Sequence, residues 1–134
     1  MNDQTEFGNK LAEIRKNAII EVSNWGGLGK YAGSDGIIVT NDKSIYVYQI
    51  YYNFVKSKEL DKNSIDKQDL TEEEFSKIIK FIDDEIANKE LESTMMCDAG
   101  YKVKINYKGI IKEIKNNSEI YTKAKEIINS LLEK

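Results

Sequence analysis

Ile37-Ile38-Val39-Thr40-Asn41-Asp42-Lys43-Ser44-Ile45-Tyr46-Val47-Tyr48-Gln49-Ile50-Tyr51-Tyr52 reads as two β-rich runs joined by the short polar turn Asn41-Asp42-Lys43, the signature of a hairpin. The second run extends from Ile45 to Val55. Tyr46, Tyr48, Ile50 and Tyr52 share one of its faces, and Ile45, Val47, Gln49 and Tyr51 the other, because strand side chains alternate. Both faces are largely apolar or aromatic, so either both are covered or one binds a partner.

Upstream lies Trp25-Gly26-Gly27-Leu28-Gly29-Lys30-Tyr31-Ala32-Gly33-Ser34-Asp35-Gly36, which holds five of the eight glycines. Glycine tolerates positive φ and lets backbone approach a partner closely, so the segment reads as a loop between strands that bears the aromatics Trp25 and Tyr31. Ala18-Ile19-Ile20-Glu21-Val22 before it has strand character. Further back, Phe7, Leu11, Ile14 and Ala18 follow helical spacing behind a capping Asn2-Asp3. The reading is a short helix at about 4–17, interrupted by Gly8.

Downstream, residues 56–70 are polar and read as an exposed connection. Thr71-Glu72-Glu73-Glu74 is a capping box whose acids suit the positive end of a helix. Phe75, Ile78, Ile79, Ile82 and Ile86 continue as one apolar stripe, a helix over about 71–88. After Asp98-Ala99-Gly100, the residues Tyr101, Val103, Ile105 and Tyr107 alternate with Lys102, Lys104 and Asn106, giving one buried and one wet face. Lys108-Gly109 turns the chain, and Ile111 and Ile114 return it. Asn116-Asn117-Ser118 caps a third helix with the stripe Tyr121, Ala124, Ile127, Ile128, Leu131, Leu132. The expectation is one α+β domain over residues 1–134, with 1–17 as an N-terminal helical extension. Its order is α-β-β-β-α-β-β-α, a mainly antiparallel sheet of about five strands in hairpins with helices packed on one face. Truncating Ile79 or Ile128 to Ala is expected to cost about 2–5 kcal/mol.

At 134 residues with 40% hydrophobic and 32% charged side chains, the chain is long enough for a core without staples. Residues 1–67 carry nine basic and nine acidic side chains, and residues 68–134 carry eleven and fourteen. Neither half offers the basic footprint that a nucleic-acid backbone demands. The single Cys97 cannot form an intramolecular disulfide. No apolar run approaches the roughly 20 residues of a membrane span, and Met1–Glu6 is polar with no signal-peptide core. A cytoplasmic protein is expected, a signal peptide already removed being the alternative.

Catalytic motifs fail on physical grounds. Gly27-x-Gly29-x-x-Ala32 matches the relaxed dinucleotide fingerprint, but that motif needs a helix to begin within it, and β-rich sequence follows instead. It is no P-loop either, since Tyr31 follows Gly29-Lys30. The chain has no histidine, which removes the usual serine and cysteine triads and most zinc sites. Cys97 has no basic neighbour in sequence and reads as a small hydrophobe. Glu72–Glu74 and Asp83–Glu85 fit a helix start and a solvated face. Glu21 and Asp98 are the carboxylates for which sequence leaves an acid–base role open. No catalytic residue, metal ligand or cofactor is assigned.

What is left is contact chemistry. Eight tyrosines, four of them within 46–52, and an aromatic-bearing glycine segment suit rigid, amphipathic recognition. The candidate partner-binding residues are Trp25, Gly27, Leu28, Tyr31, Tyr46 and Tyr48. The leading expectation is a non-enzymatic domain, monomeric or weakly dimeric, that binds another protein in the manner of an inhibitor or a toxin-neutralising immunity protein, with no nucleic-acid or membrane partner. The alternative is a scaffold for a small molecule or peptide, with a pocket between sheet and helices.

Gly26-Gly27, Gly33-Ser34-Asp35-Gly36, the helix from Leu70 through Ile82, and Asp98-Ala99-Gly100-Tyr101-x-Val103 together resemble small α+β proteins of low-GC Gram-positive bacteria. The element order from Ile19 to Leu132 also resembles that of emfourin-like protease inhibitors, which bind thermolysin-like metalloproteases. The likeness spans about 110 residues and rests on layout and glycine placement. It implies a non-enzymatic partner-binding domain. The helix ahead of the first strand departs from that layout, and no inhibitory residue is carried across.

Overall fold

The computed structural model describes residues 3–26, 31–53, 63–94 and 100–132. A helix α1 (Asp3–Lys16) is followed by strands β1 (Ala18–Gly26), β2 (Tyr31–Thr40), β3 (Ser44–Asn53) and β4 (Ser64–Asp69). Then come helix α2 (Glu72–Phe81), a π-helical continuation over Ile82–Ala87, strands β5 (Gly100–Tyr107) and β6 (Ile110–Lys115), and helix α3 (Ser118–Leu131). The six strands form one sheet in the order β4-β3-β2-β1-β5-β6, and every neighbouring pair is antiparallel. The fold is α+β, as the hairpin pattern predicts.

The sixth strand is β4, which falls within the stretch read as an exposed connection. Its sequence, Ser-Ile-Asp-Lys-Gln-Asp, has no apolar alternation because it is an edge strand whose side chains mostly meet water, Ile65 and Gln68 being half-buried, and charged edges discourage pairing with another chain. Backbone pairing from Ser44↔Asp69 to Gln49↔Ser64 holds it to β3, and Gln68 Nε2 donates to the Leu131 carbonyl at 2.7 Å.

Helices cover both faces, where the sequence reading placed them on one. On the first face, Ile20, Val22, Ile37, Val39, Ile45, Val103 and Ile105 pack against Ile78, Ile82, Ile86, Ala124, Ile128 and Leu131. Each such side chain contributes roughly 1.5–3 kcal/mol on burial. On the second face, Leu11 and Ile14 of α1 pack on Ile38 and Tyr48, with Phe7, Tyr46, Ile50 and Ile65 around them. Helices thereby pack on both faces of β3, at Ile45 on one and at Tyr48 on the other.

The local signals hold these helices in register. Thr71 Oγ1 accepts from the Glu74 amide at 3.1 Å, and Glu74 Oε1 accepts from the Thr71 amide at 2.9 Å. Asn117 Oδ1 caps α3 by accepting from the Ile120 amide. The wider π-helical turns after Phe81 put Ile82, Ile86 and Ala87 into the core together. Lys112 Nζ closes that end by donating to the Ile86 and Lys89 carbonyls at 3.0 and 2.6 Å.

The glycine segment is mostly strand. Trp25 pairs with Ser34 and Gly26 with Gly33, which leaves residues 27–30 between the two strands. Gly36 serves close packing here. A Cβ at that position would lie 2.6 Å from Tyr48 Oη and 2.9 Å from Ser23 Cβ, so the missing side chain is the space the phenol occupies. Positive φ is instead used at Lys108 and Gly109, 50° and 81°, the two-residue turn that suits a twisted hairpin.

Candidate functional site

Cross-strand pairing fixes which candidates meet. Trp25 lies opposite Ser34 on β2 and Gly100 on β5, on the face that α1 partly covers. It is half-buried, and its six-membered ring sits over Gly100: a Cβ there would stand 2.6 Å from Trp25 Cζ2 and 2.6 Å from Asn116 Oδ1. That Asn116 oxygen accepts from the Tyr101 amide at 2.9 Å. Tyr31 starts β2 opposite Asn53, at the same end of the sheet as Trp25. Gly27, Leu28 and the Tyr31 side chain lie outside the described residues, as do Cys97 and Asp98. Where a dinucleotide site would need a helix, the backbone from Tyr31 is strand.

Tyr46 and Tyr48 belong to a different place. Both sit under α1, Tyr46 half-buried and Tyr48 only 1% exposed, so Tyr48 has no surface to present. Its hydroxyl donates to Glu21 Oε2 at 2.7 Å and accepts from Arg15 Nη2 at 3.2 Å. Arg15 also donates to both Glu21 oxygens, from Nε at 3.1 and 3.2 Å and from Nη2 at 2.8 Å, a forked pairing that suits the planar guanidinium. Burial first, and then the Glu21 carboxylate, push the Tyr48 phenol up to about 12. Both Glu21 oxygens are engaged within this cluster, which ties α1 to the sheet.

Among the described residues, no helix covers the rest of this face. Reading across β1, β5 and β6, the rows are Ser23–Lys102–Lys115, Glu21–Lys104–Glu113 and, on β5 and β6, Asn106–Ile111. Lys104, Asn106, Ile111 and Glu113 are exposed. Lys102 Nζ bonds Glu113 at 3.0 Å and holds that carboxyl below its usual range.

The opposite face holds a cleft of about 270 Å³ between the sheet and the C-terminal half of α3. Asp35, Gln49, Asp66, Lys125 and Asn129 line it over a floor that includes Val47. Asn24 Nδ2 donates to Asp35 Oδ1 at 2.8 Å and to Tyr121 Oη at 3.1 Å, fixing one wall. Sequence reading missed these residues, because they come from three strands and a helix. The one available signal was the alternation Ser64, Asp66, Gln68, had β4 been recognised as a strand.

Among the described residues, no cluster of three or more acidic, cysteine or histidine side chains could hold a metal ion. No helix among them is long and apolar enough to cross a membrane. No protein-family model matches the chain, and no curated protein matches it in sequence.

Proposed function

We propose that this chain is a non-enzymatic, cytoplasmic protein-binding domain of inhibitor or neutralising type. It meets its partner with the hairpin end that carries Trp25 and Tyr31. The observation that supports this most is the setting of Trp25: the chain's one tryptophan stands half-buried on a strand at the margin of an open sheet face. Aromatic side chains held rigidly beside water are the residues on which interface energy concentrates.

The test is capture of partners by tagged full-length protein beside a Trp25→Ala/Tyr31→Ala variant. The expected result is a stoichiometric protein that binds the first and is lost by the second. A variant that keeps the wild-type circular dichroism and retains every partner overturns the reading.

The cleft beside Asp35 and Asp66 favours a second reading, a scaffold for a small molecule or peptide. A ligand seated there raises the unfolding temperature by mass action. A thermal-shift screen of polar metabolites, compared between wild type and Asn129→Leu, checks it. No response in the screen, or the same response in both proteins, counts against the cleft.

A further inference from the structure

We infer that the open part of the sheet, over β1, β5 and β6, is a docking face for an acidic segment of a protein partner. The inference rests on the protein-binding reading above and adds the partner's chemistry.

Charge is the first ground. The chain is net −3, and its helical layer is acidic: α2 with its π-helical continuation carries six carboxylates against Lys77 and Lys80, while α3 is balanced, with Glu119 and Glu126 against Lys123 and Lys125. The open sheet face has the opposite sign. It carries Lys102, Lys104 and Lys115 with Glu113 as their counter-charge, while Glu21 is already neutralised by Arg15. Such polarity orients an approaching acidic surface toward the sheet and away from the helices.

The second ground is a local cost. Lys102 and Lys115 are directly opposed across β5 and β6, and like charges so placed destabilise a sheet. Glu113 bonds Lys102 directly and also attracts Lys115 and Lys104, so one carboxylate serves three ammonium groups. An incoming carboxylate offsets the remaining positive charge. Apolar anchors bracket the lysines. Trp25 stands over Gly100 at one end, and Ile111, 67% exposed, faces Asn106 at the other. Asn106 lies six residues along β5 from Gly100, a span of about 20 Å at strand rise. The face therefore fits a segment with apolar ends and an acidic middle. Three lysines are too few for a nucleic-acid backbone.

Trp25 is an intrinsic probe for the test, since the full chain has one tryptophan. Three probes are titrated while its emission is followed: a leucine-ended peptide of alternating Glu and Ala spanning about 20 Å, its lysine counterpart, and a single-stranded oligonucleotide. The expected result is an emission shift with the acidic peptide alone, weakening with added salt and by about tenfold or more in Lys104→Glu/Lys115→Glu. Lys104 is exposed and Lys115 half-buried, and an unchanged melting temperature verifies the variant's fold. No shift with the acidic peptide, equal affinity in the variant, or tighter binding of the oligonucleotide overturns the inference. Partner capture separates the two claims. A protein lost by Trp25→Ala/Tyr31→Ala but kept by Lys104→Glu/Lys115→Glu overturns the acidic assignment and leaves the protein-binding reading standing. A captured set that neither variant changes overturns both.

Discussion

The Tyr48 hydroxyl donates to Glu21 Oε2 at 2.7 Å, reaching diagonally over β2 from β3 to β1. Gly36 is the strand residue between them, and the phenol occupies the volume its side chain would fill. With Arg15 forked onto the same carboxylate, a residue from α1 and residues from two strands close one buried polar cluster.

Tyr48→Phe removes a donor to a carboxylate that is 8% exposed. Hydrogen bonds to charged groups contribute roughly 1.5–3 kcal/mol, and Arg15 stays to satisfy Glu21, so a loss of about 1–2 kcal/mol is expected in urea unfolding. Arg15→Ala leaves the carboxylate with the phenol alone. The Arg15 side chain is 45% exposed, so solvent screens the pair and the cost is about 1–3 kcal/mol. Equal stability of wild type and both variants would dissolve the cluster's structural role.

The same phenol sets an alkaline limit. Its folded-state value of about 12 lies above the ordinary 10.0, so between those values the unfolded chain holds fewer protons than the folded one. Stability present below pH 10 is therefore lost as pH rises toward 12, by on the order of 2 kcal/mol. Urea midpoints measured across that range should fall more steeply for wild type than for Tyr48→Phe. Parallel slopes would refute the assignment.

Gly36→Ala tests why the glycine is there. The new Cβ would lie 2.6 Å from Tyr48 Oη and 2.7 Å from Cζ, and overpacking of this kind costs about 1–3 kcal/mol. Combined with Tyr48→Ala, the substitution should lose most of its cost relative to that background, because the opposing ring is gone and the 2.9 Å approach to Ser23 Cβ is the contact left to relieve. Additive losses in the double-mutant cycle would assign Gly36 a conformational role instead.

Legibility in the sequence followed locality. The Thr71–Glu74 capping box and the Tyr101–Tyr107 alternation were readable, since each is decided within a few residues. The β4 strand was not: Ser64–Asp69 is held by backbone pairing at an edge, and Ile65 is its single apolar residue. Helix α1 could be recognised from Phe7, Leu11 and Ile14, but its place on the second face depends on Ile38 and Tyr48, far away in sequence. The segment from Trp25 to Gly36 looked like a loop because glycine has two uses, and its use at Gly36 depends on a phenol contributed by the next strand. Of the candidate contacts, Trp25 and Tyr31 share one sheet end, whereas Tyr46 and Tyr48 lie under α1. The Asp35–Asp66–Lys125 wall of the cleft exists only once β2, β3, β4 and α3 assemble.

The core ledger separates two isoleucines of one expected class. Ile128 is fully buried among Ile20, Val22, Ile105 and the helices, so Ile128→Ala should cost about 2–5 kcal/mol. Ile79 is only partly buried at the margin of that core, and its neighbour Ile78 is the fully enclosed side chain. Ile79→Ala should therefore cost less than Ile78→Ala in the same urea titration, and the reverse order would misplace the face of α2.

Gly100→Ala joins packing to the proposed interface. A Cβ there would strike Trp25 Cζ2 and Asn116 Oδ1, each at 2.6 Å. Since β5 is fixed between β1 and β6, the indole is the group free to yield. The ring should lift from Gly100 into water, moving the single-tryptophan emission to longer wavelength and increasing its quenching by iodide. Stability should fall by about 1–3 kcal/mol, because overpacking is joined by strain on the Asn116–Tyr101 bond. Partner binding through Trp25 should weaken along with the emission change, while the alkaline slope set by Tyr48 stays as in wild type. An unshifted emission maximum with normal stability would mean that the indole does not rest on Gly100.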